Sequence, residues 1–191
     1  MLCSESFNLG EKAILASDRV WVDVPSVTDI LGSVGAPSLV LLAAWMWLLH
    51  RSRTAGWKVA LLSLPGTTAH EFFHYAYGLL LGAKPVSVSL FPKKNGNTWI
   101  LGSVSFARLN IWNAAFVALA PLTLYPLGYV LLVYVMEPAL KAGDLSLWFF
   151  SGYLAACCFF SGFPSSTDFK VGATSIVLYG AVGFGLWQLA H

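Results

Sequence analysis

Apolar residues gather into five long runs, at 31–49, 57–82, 111–136, 145–163 and 171–190. Each is close to the roughly 20 residues that carry an α-helix across a hydrocarbon core of about 30 Å. The pattern predicts an all-α polytopic membrane protein with about five transmembrane helices. The first run ends in Trp-Met-Trp-Leu-Leu-His and is closed by Arg51 and Arg53. The third contains Pro121 and Pro126, which a buried helix tolerates where neighbours satisfy the carbonyls that proline frees. Trp45, Trp47, Trp57, Trp112, Trp148 and Trp187 lie near run ends, where an aromatic belt belongs.

Two stretches break the helical pattern. Residues 1–30 mix Glu5, Glu11, Lys12, Asp18, Arg19, Asp23 and Asp29 with scattered aliphatics, an extramembrane or interfacial lead-in without the basic start and apolar core of a signal peptide. Between the second and third runs, Val86, Val88 and Leu90 alternate with Ser87 and Ser89 before Asn95-Gly96, and Ile100–Phe106 leads back. Period-two alternation around Asn-Gly predicts a membrane-associated β-hairpin over 86–106; a surface loop with a tight turn is the plainer alternative. With no repeat or separate soluble module, residues 1–191 are expected to form one membrane-embedded domain.

Composition agrees with lipid as the solvent: 57% of residues are hydrophobic, 10% are charged, and mean hydropathy is +0.70. A soluble domain carries about 25% charged residues. A formal charge of +2 gives no case for a nucleic-acid partner. Cys3, Cys157 and Cys158 form neither a disulfide framework nor a metal-binding spacing, and read as apolar fillers. Arg51, Arg53 and Lys58 in one loop are matched by Lys84, Lys93, Lys94 and Arg108 in the next, so basic residues favour neither orientation.

The second run holds the chemistry. In Thr-Thr-Ala-His-Glu-Phe-Phe-His, residues 67–74, a helix places His70 and His74 one turn apart on one face. Both imidazoles can then reach one metal ion, while Glu71 falls beside the ion, free to take a proton from an attacking water. Ser63, Thr67 and Gly78 continue the same sector, a small polar stripe suited to a water-lined face, whereas Phe72, Phe73, Leu79 and Leu80 point elsewhere. Two structural alternatives stand beside this. A helix-interior histidine is often a hydrogen-bonded core residue, and Thr68-Ala69-His70-Glu71 fits a capping box for a helix starting after Pro65-Gly66. Against both, burying three ionisable groups in a membrane is costly enough that function is the default expectation.

A catalytic zinc site takes three protein ligands. His50 and His191 lie at run ends, and Glu137 and Asp144 share a polar connection where solvation accounts for them. Asp168 sits in Phe163-Pro164-Ser165-Ser166-Thr167-Asp168, a hydroxyl-rich break where Pro164 disrupts the helix. It is the candidate third ligand; the alternative is a helix N-cap for the last run.

With His-Glu-Phe-Phe-His in one span and a Pro-x-x-x-Asp break in a later one, the chain resembles the site-2 protease family of intramembrane zinc metalloproteases over roughly residues 57–175. The resemblance extends to the hairpin and to Asn113–Leu122 (NAAFVALAPL). It implies His70, His74 and Asp168 as zinc ligands, Glu71 as catalytic base, and a transmembrane protein as substrate within the lipid bilayer. Where the family carries Asn-Pro-Asp-Gly or Leu-Asp-Gly, this chain reads Thr167-Asp168-Phe169, and it carries no inserted PDZ or CBS module. A substrate strand is expected to pair with an edge of the hairpin. Asn113 is expected to hydrogen-bond that strand or the oxyanion, with a helix-capping or interhelical amide as its alternative. A membrane metal-binding or transport protein and a non-catalytic scaffold subunit are the rival functions.

Overall fold

The structure is a computed structural model, which describes residues 34–52, 61–89, 93–95, 98–100 and 102–190. Within these there are five helical rods and a short antiparallel hairpin that packs along one of them. Helix α1 covers Ala36–Ser52 and α2 covers Leu64–Leu80, the latter led in by a 3₁₀ turn at Leu61–Ser63. The rod α3 runs over Ala114–Lys141, α4 over Leu145–Ser161 and α5 over Ser166–Ala190. Only α3 and α5 are long and apolar enough to cross a membrane on their own account. The helices α1, α2 and α4 have 17 residues each, about 25 Å at 1.5 Å per residue.

Each boundary has a local cause. Pro65 stands in the first turn of α2, where its missing N–H removes nothing. At the other end, Gly82 turns with φ +68° while Ala83 N–H donates to Gly78 O at 2.8 Å, a glycine-ended Schellman-type stop. The carboxylate of Asp144 accepts Leu147 N–H at 3.0 Å and caps α4. Pro121 forces a 3₁₀ segment at Ala120–Thr123 into α3, and a π-helical segment follows at Leu132–Met136.

The hairpin consists of β1 (Pro85–Ser89), β2 (Lys93–Asn95), β3 (Thr98–Ile100) and β4 (Ser103–Phe106). β1 pairs antiparallel with β4, and β2 with β3. Asn95 faces Thr98, so the connection is residues 96 and 97, one place later than a turn centred on Asn95-Gly96. The hairpin lies along α2, with the Phe106 ring seated on Gly78.

Helix α2 lies between α4, the first half of α3 and the hairpin. The interfaces are built from small residues. Ala114, Ala115, Ala118 and Ala120 are buried on α3, and Gly152, Ala155 and Ala156 on α4, which lets backbones approach closely without large apolar side chains. Gly66 of α2 sits against Ser161 and the Cys157 carbonyl of α4, and Gly172 of α5 against Ala118 of α3. A larger cluster joins Leu49, Leu42, Trp45 and Met46 of α1 to Ala156, Cys157, Tyr153 and Phe160 of α4. Cys157 and Cys158 are free thiols buried in α4.

Several expected boundaries shift. The last helix begins at Ser166 rather than 171, which brings Asp168 into its first turn. The third continues past Met136 through Glu137 to Lys141. Glu137 is therefore not in a solvated connection: it is buried, and its carboxylate accepts Gly35 N–H at 3.0 Å, capping the start of α1 from another helix. Helix α2 starts at Leu64, so Glu71 stands two turns inside it and the Thr68–Glu71 capping box does not form. The lead-in at 1–30, residues 57–60, the turn residues and His191 lie outside the described residues.

Candidate metal centre

Helix α2 buries one stripe, Gly66, Glu71, His74 and Gly78, while Phe72, Leu79 and Leu80 are exposed. The spacing that puts His70 and His74 one turn apart also aims both rings at the start of α5. Each ring is fixed from behind. His70 Nδ1 lies 2.7 Å from Ser161 O at the end of α4, and His74 Nδ1 lies 2.7 Å from Val117 O in α3. A carbonyl oxygen only accepts, so both Nδ1 atoms carry the hydrogen and donate it. Both Nε2 atoms then present lone pairs, and they stand 3.2 Å apart.

Asp168 completes the cluster. Its Oδ2 lies 3.4 Å from His70 Nε2 and its Oδ1 lies 3.3 Å from His74 Nε2. With both rings neutral, two imidazole lone pairs and a carboxylate face one another and repel, and a proton or a metal cation among them relieves this. Tetrahedral zinc with bonds of about 2.0–2.2 Å sets ligand atoms about 3.3–3.6 Å apart, close to the Nε2–Nε2 separation and to each imidazole's distance from its nearer carboxylate oxygen, Oδ2 for His70 and Oδ1 for His74. Imidazole Nδ1–H donated to a backbone carbonyl is also the usual support of a metal-ligating histidine. His70, His74 and Asp168 thus form a group able to hold a metal ion.

The aspartate is held by its own helix start. Ser165 N–H donates to Asp168 Oδ2 at 2.6 Å, and Asp168 N–H donates to Ser165 Oγ at 3.2 Å. This is a reciprocal capping box, so capping and facing the histidines coexist in one side chain. Helix α5 is pinned in turn to the start of α3. Ser175 Oγ accepts Ala115 N–H at 3.1 Å, and Tyr179 OH donates to Trp112 O at 2.8 Å.

Glu71 is buried beside His70 and lies directly under Gly102, which precedes β4. A methyl group on Gly102 would fall 2.6 Å from Glu71 Cγ, so the hairpin closes over the carboxylate by way of a residue with no side chain. No local pattern marks Gly102 in the sequence, since the contact joins segments about thirty residues apart. Asn113 lies away from this cluster. Its Nδ2 donates to Arg108 O at 3.1 Å and to Leu81 O at 3.4 Å, and its Oδ1 accepts Asn110 N–H at 2.8 Å. In this structure its amide ties the segment after β4 to the end of α2. His50 is exposed on α1.

Comparison with protein-family models, with curated proteins and with solved structures finds no match for this chain.

Proposed function

We propose that the protein is an intramembrane zinc metalloprotease with site-2 protease-like chemistry, hydrolysing peptide bonds within or near transmembrane segments of other membrane proteins. The observation that carries this is the convergence of two oriented imidazoles, Nε2 atoms 3.2 Å apart, on the two oxygens of one carboxylate at 3.4 and 3.3 Å. The glutamate next in sequence to the first histidine is buried with them.

In this proposal His70, His74 and Asp168 hold the ion. Zinc in such a set would supply Lewis acidity and lower the pKa of water to about 7. Glu71, which accepts no hydrogen bond from any described residue, takes the proton from the attacking water and delivers it to the departing amine. The Nδ1–H donors of both histidines keep the rings in the ligating tautomer throughout. All five rods cross or enter the bilayer, α1, α2 and α4 doing so as shorter spans sheltered by their neighbours. Among the described residues β1 and β4 pair only with each other, which leaves each a strand edge; β4 follows Gly102, which rests on Glu71, and β1 carries the exposed Val86 and Val88. A substrate segment drawn out along such an edge presents extended backbone instead of a helix whose peptide bonds are closed in hydrogen bonds.

The test is the full chain reconstituted in lipid vesicles with a panel of single-span reporter proteins, compared with Glu71→Gln. A protease cleaves at least one reporter; Glu71→Gln holds as much zinc and cleaves about 10²–10⁴-fold more slowly. Equal cleavage by both proteins rejects the assignment of Glu71, and zinc carried across the vesicle wall without cleavage favours a transporter.

A further inference from the structure

Two carbonyls, Val117 O and Ser161 O, hold the two histidine rings, and each stands just upstream of a proline. In an α-helix the carbonyl of residue i accepts from the N–H of residue i+4. For Val117 that residue is Pro121, which has no N–H. The carbonyl takes a single 3₁₀-type bond from Ala120 N–H, leaving its second lone pair for His74. For Ser161, the last residue of α4, residue i+3 is Pro164, again without an N–H. Its i+4 donor, Ser165 N–H, is committed to Asp168 Oδ2. Nothing in the chain competes with His70 for that oxygen among the described residues.

We infer that Pro121 and Pro164 are positioning residues of the metal centre: each keeps one backbone carbonyl clear of helix hydrogen bonding, so that it locks one ligand histidine with Nδ1 protonated and Nε2 directed at the metal. The prolines touch neither the ion nor the substrate. Pro121 contributes a missing hydrogen at the i+4 position and serves His74; Pro164 lacks the i+3 donor just beyond the end of α4, while Ser165 N–H at i+4 is held by Asp168 Oδ2, so Ser161 O is left to His70. Pro164 also ends α4, and so creates the break in which Ser165 and Asp168 cap each other. A single proline-containing break thereby orients one ligand and delivers another.

This rests on the metal assignment above, and the experiment separates the two. The full chain, Pro121→Ala and Pro164→Ala are loaded with zinc, and zinc affinity is measured by competition with a chromophoric chelator. In parallel, histidine-selective ¹⁵N labelling follows the Nδ1–H protons of His70 and His74. Pro126→Ala is the control, since Pro126 lies in the same rod but the carbonyl it frees, Leu122 O, meets no histidine among the described residues.

In wild type both Nδ1–H signals are expected downfield and slow to exchange. Pro121→Ala is expected to shift and speed the His74 signal alone, and Pro164→Ala the His70 signal more than that of His74, which Asp168 also faces, each with a loss of about 10–100-fold in zinc affinity. Pro126→Ala changes neither. If Pro121→Ala and Pro164→Ala fold and leave both signals and the affinity as in wild type, or disturb both rings alike, the inference is overturned. If wild type binds no zinc, the metal assignment falls; the Nδ1–H signals of the metal-free protein then decide on the prolines alone.

Discussion

Gly102, between β3 and β4 of the hairpin, rests on the side chain of Glu71, so close that a methyl group there would lie 2.6 Å from Cγ and 2.9 Å from Oε1. The strand and the carboxylate fit only because residue 102 has no Cβ. Gly102→Ala must therefore displace the hairpin or turn Glu71 aside, while the three ligand side chains, which do not touch Gly102, stay in place. The expected result is unchanged zinc content with a fall of about 10²-fold in cleavage rate, the scale of a 1 Å misplacement of a reacting group. Zinc content and turnover measured on the same preparation decide it; undiminished turnover would show that this contact does not position the base.

Asp168 has two jobs, and substitution separates them. Asparagine keeps an oxygen that can accept Ser165 N–H but removes the anionic donor, whereas alanine removes both. Asp168→Asn is expected to unfold close to the wild-type temperature yet bind zinc far more weakly. Asp168→Ala should lose zinc and, in addition, the cap, worth about 0.5–2 kcal/mol. Thermal unfolding beside metal analysis distinguishes them, and an Asp168→Asn protein with full zinc affinity would remove the carboxylate from the ligand set.

Glu137 predicts a stability effect without a catalytic one. Its carboxylate is the acceptor for Gly35 N–H at the start of α1, far along α3 from the histidines. Glu137→Ala leaves that N–H without its partner and is expected to cost about 1–3 kcal/mol, while Glu137→Gln retains an acceptor and is nearly neutral. Neither should alter zinc affinity.

In the proposed metal centre zinc and protons would compete for the same two Nε2 lone pairs, because Nδ1–H of each ring is donated to a carbonyl. Binding therefore weakens as pH falls into the range where the imidazoles take up a second proton. Well below that range the affinity should drop by up to about a hundredfold per pH unit, one factor of ten for each ring. A chelator competition series from pH 8 to pH 5 measures the slope; a flat profile would mean the imidazoles are not the ligands.

Local pattern made much of this legible before any coordinates. The one-turn spacing of His70 and His74, the proline break before Asp168, and the alternation that forms the hairpin are all short-range signals. What stayed hidden depends on contacts between distant segments. Glu137 reads as a solvated acid in a polar connection shared with Asp144, yet the helix runs on through Lys141 and the carboxylate meets Gly35 N–H at the start of α1. The role of Gly102 exists only where the hairpin folds back on α2. The alternatives for Asp168, ligand or cap, look exclusive in sequence, and only the geometry of the first turn shows one carboxylate satisfying a backbone N–H while facing two imidazoles. Asn113 carries an amide that suits substrate or backbone equally, and its three hydrogen-bond partners come from Leu81, Arg108 and Asn110.

The most direct test of the whole account is the zinc content of the purified full chain, measured beside His74→Ala and Asp168→Ala by elemental analysis with X-ray absorption at the zinc edge. One zinc per chain is expected in wild type, in a nitrogen- and oxygen-only shell with two imidazoles, and little or none in either variant. A zinc-free wild type, or variants that hold as much as it does, would contradict a metal centre made by His70, His74 and Asp168.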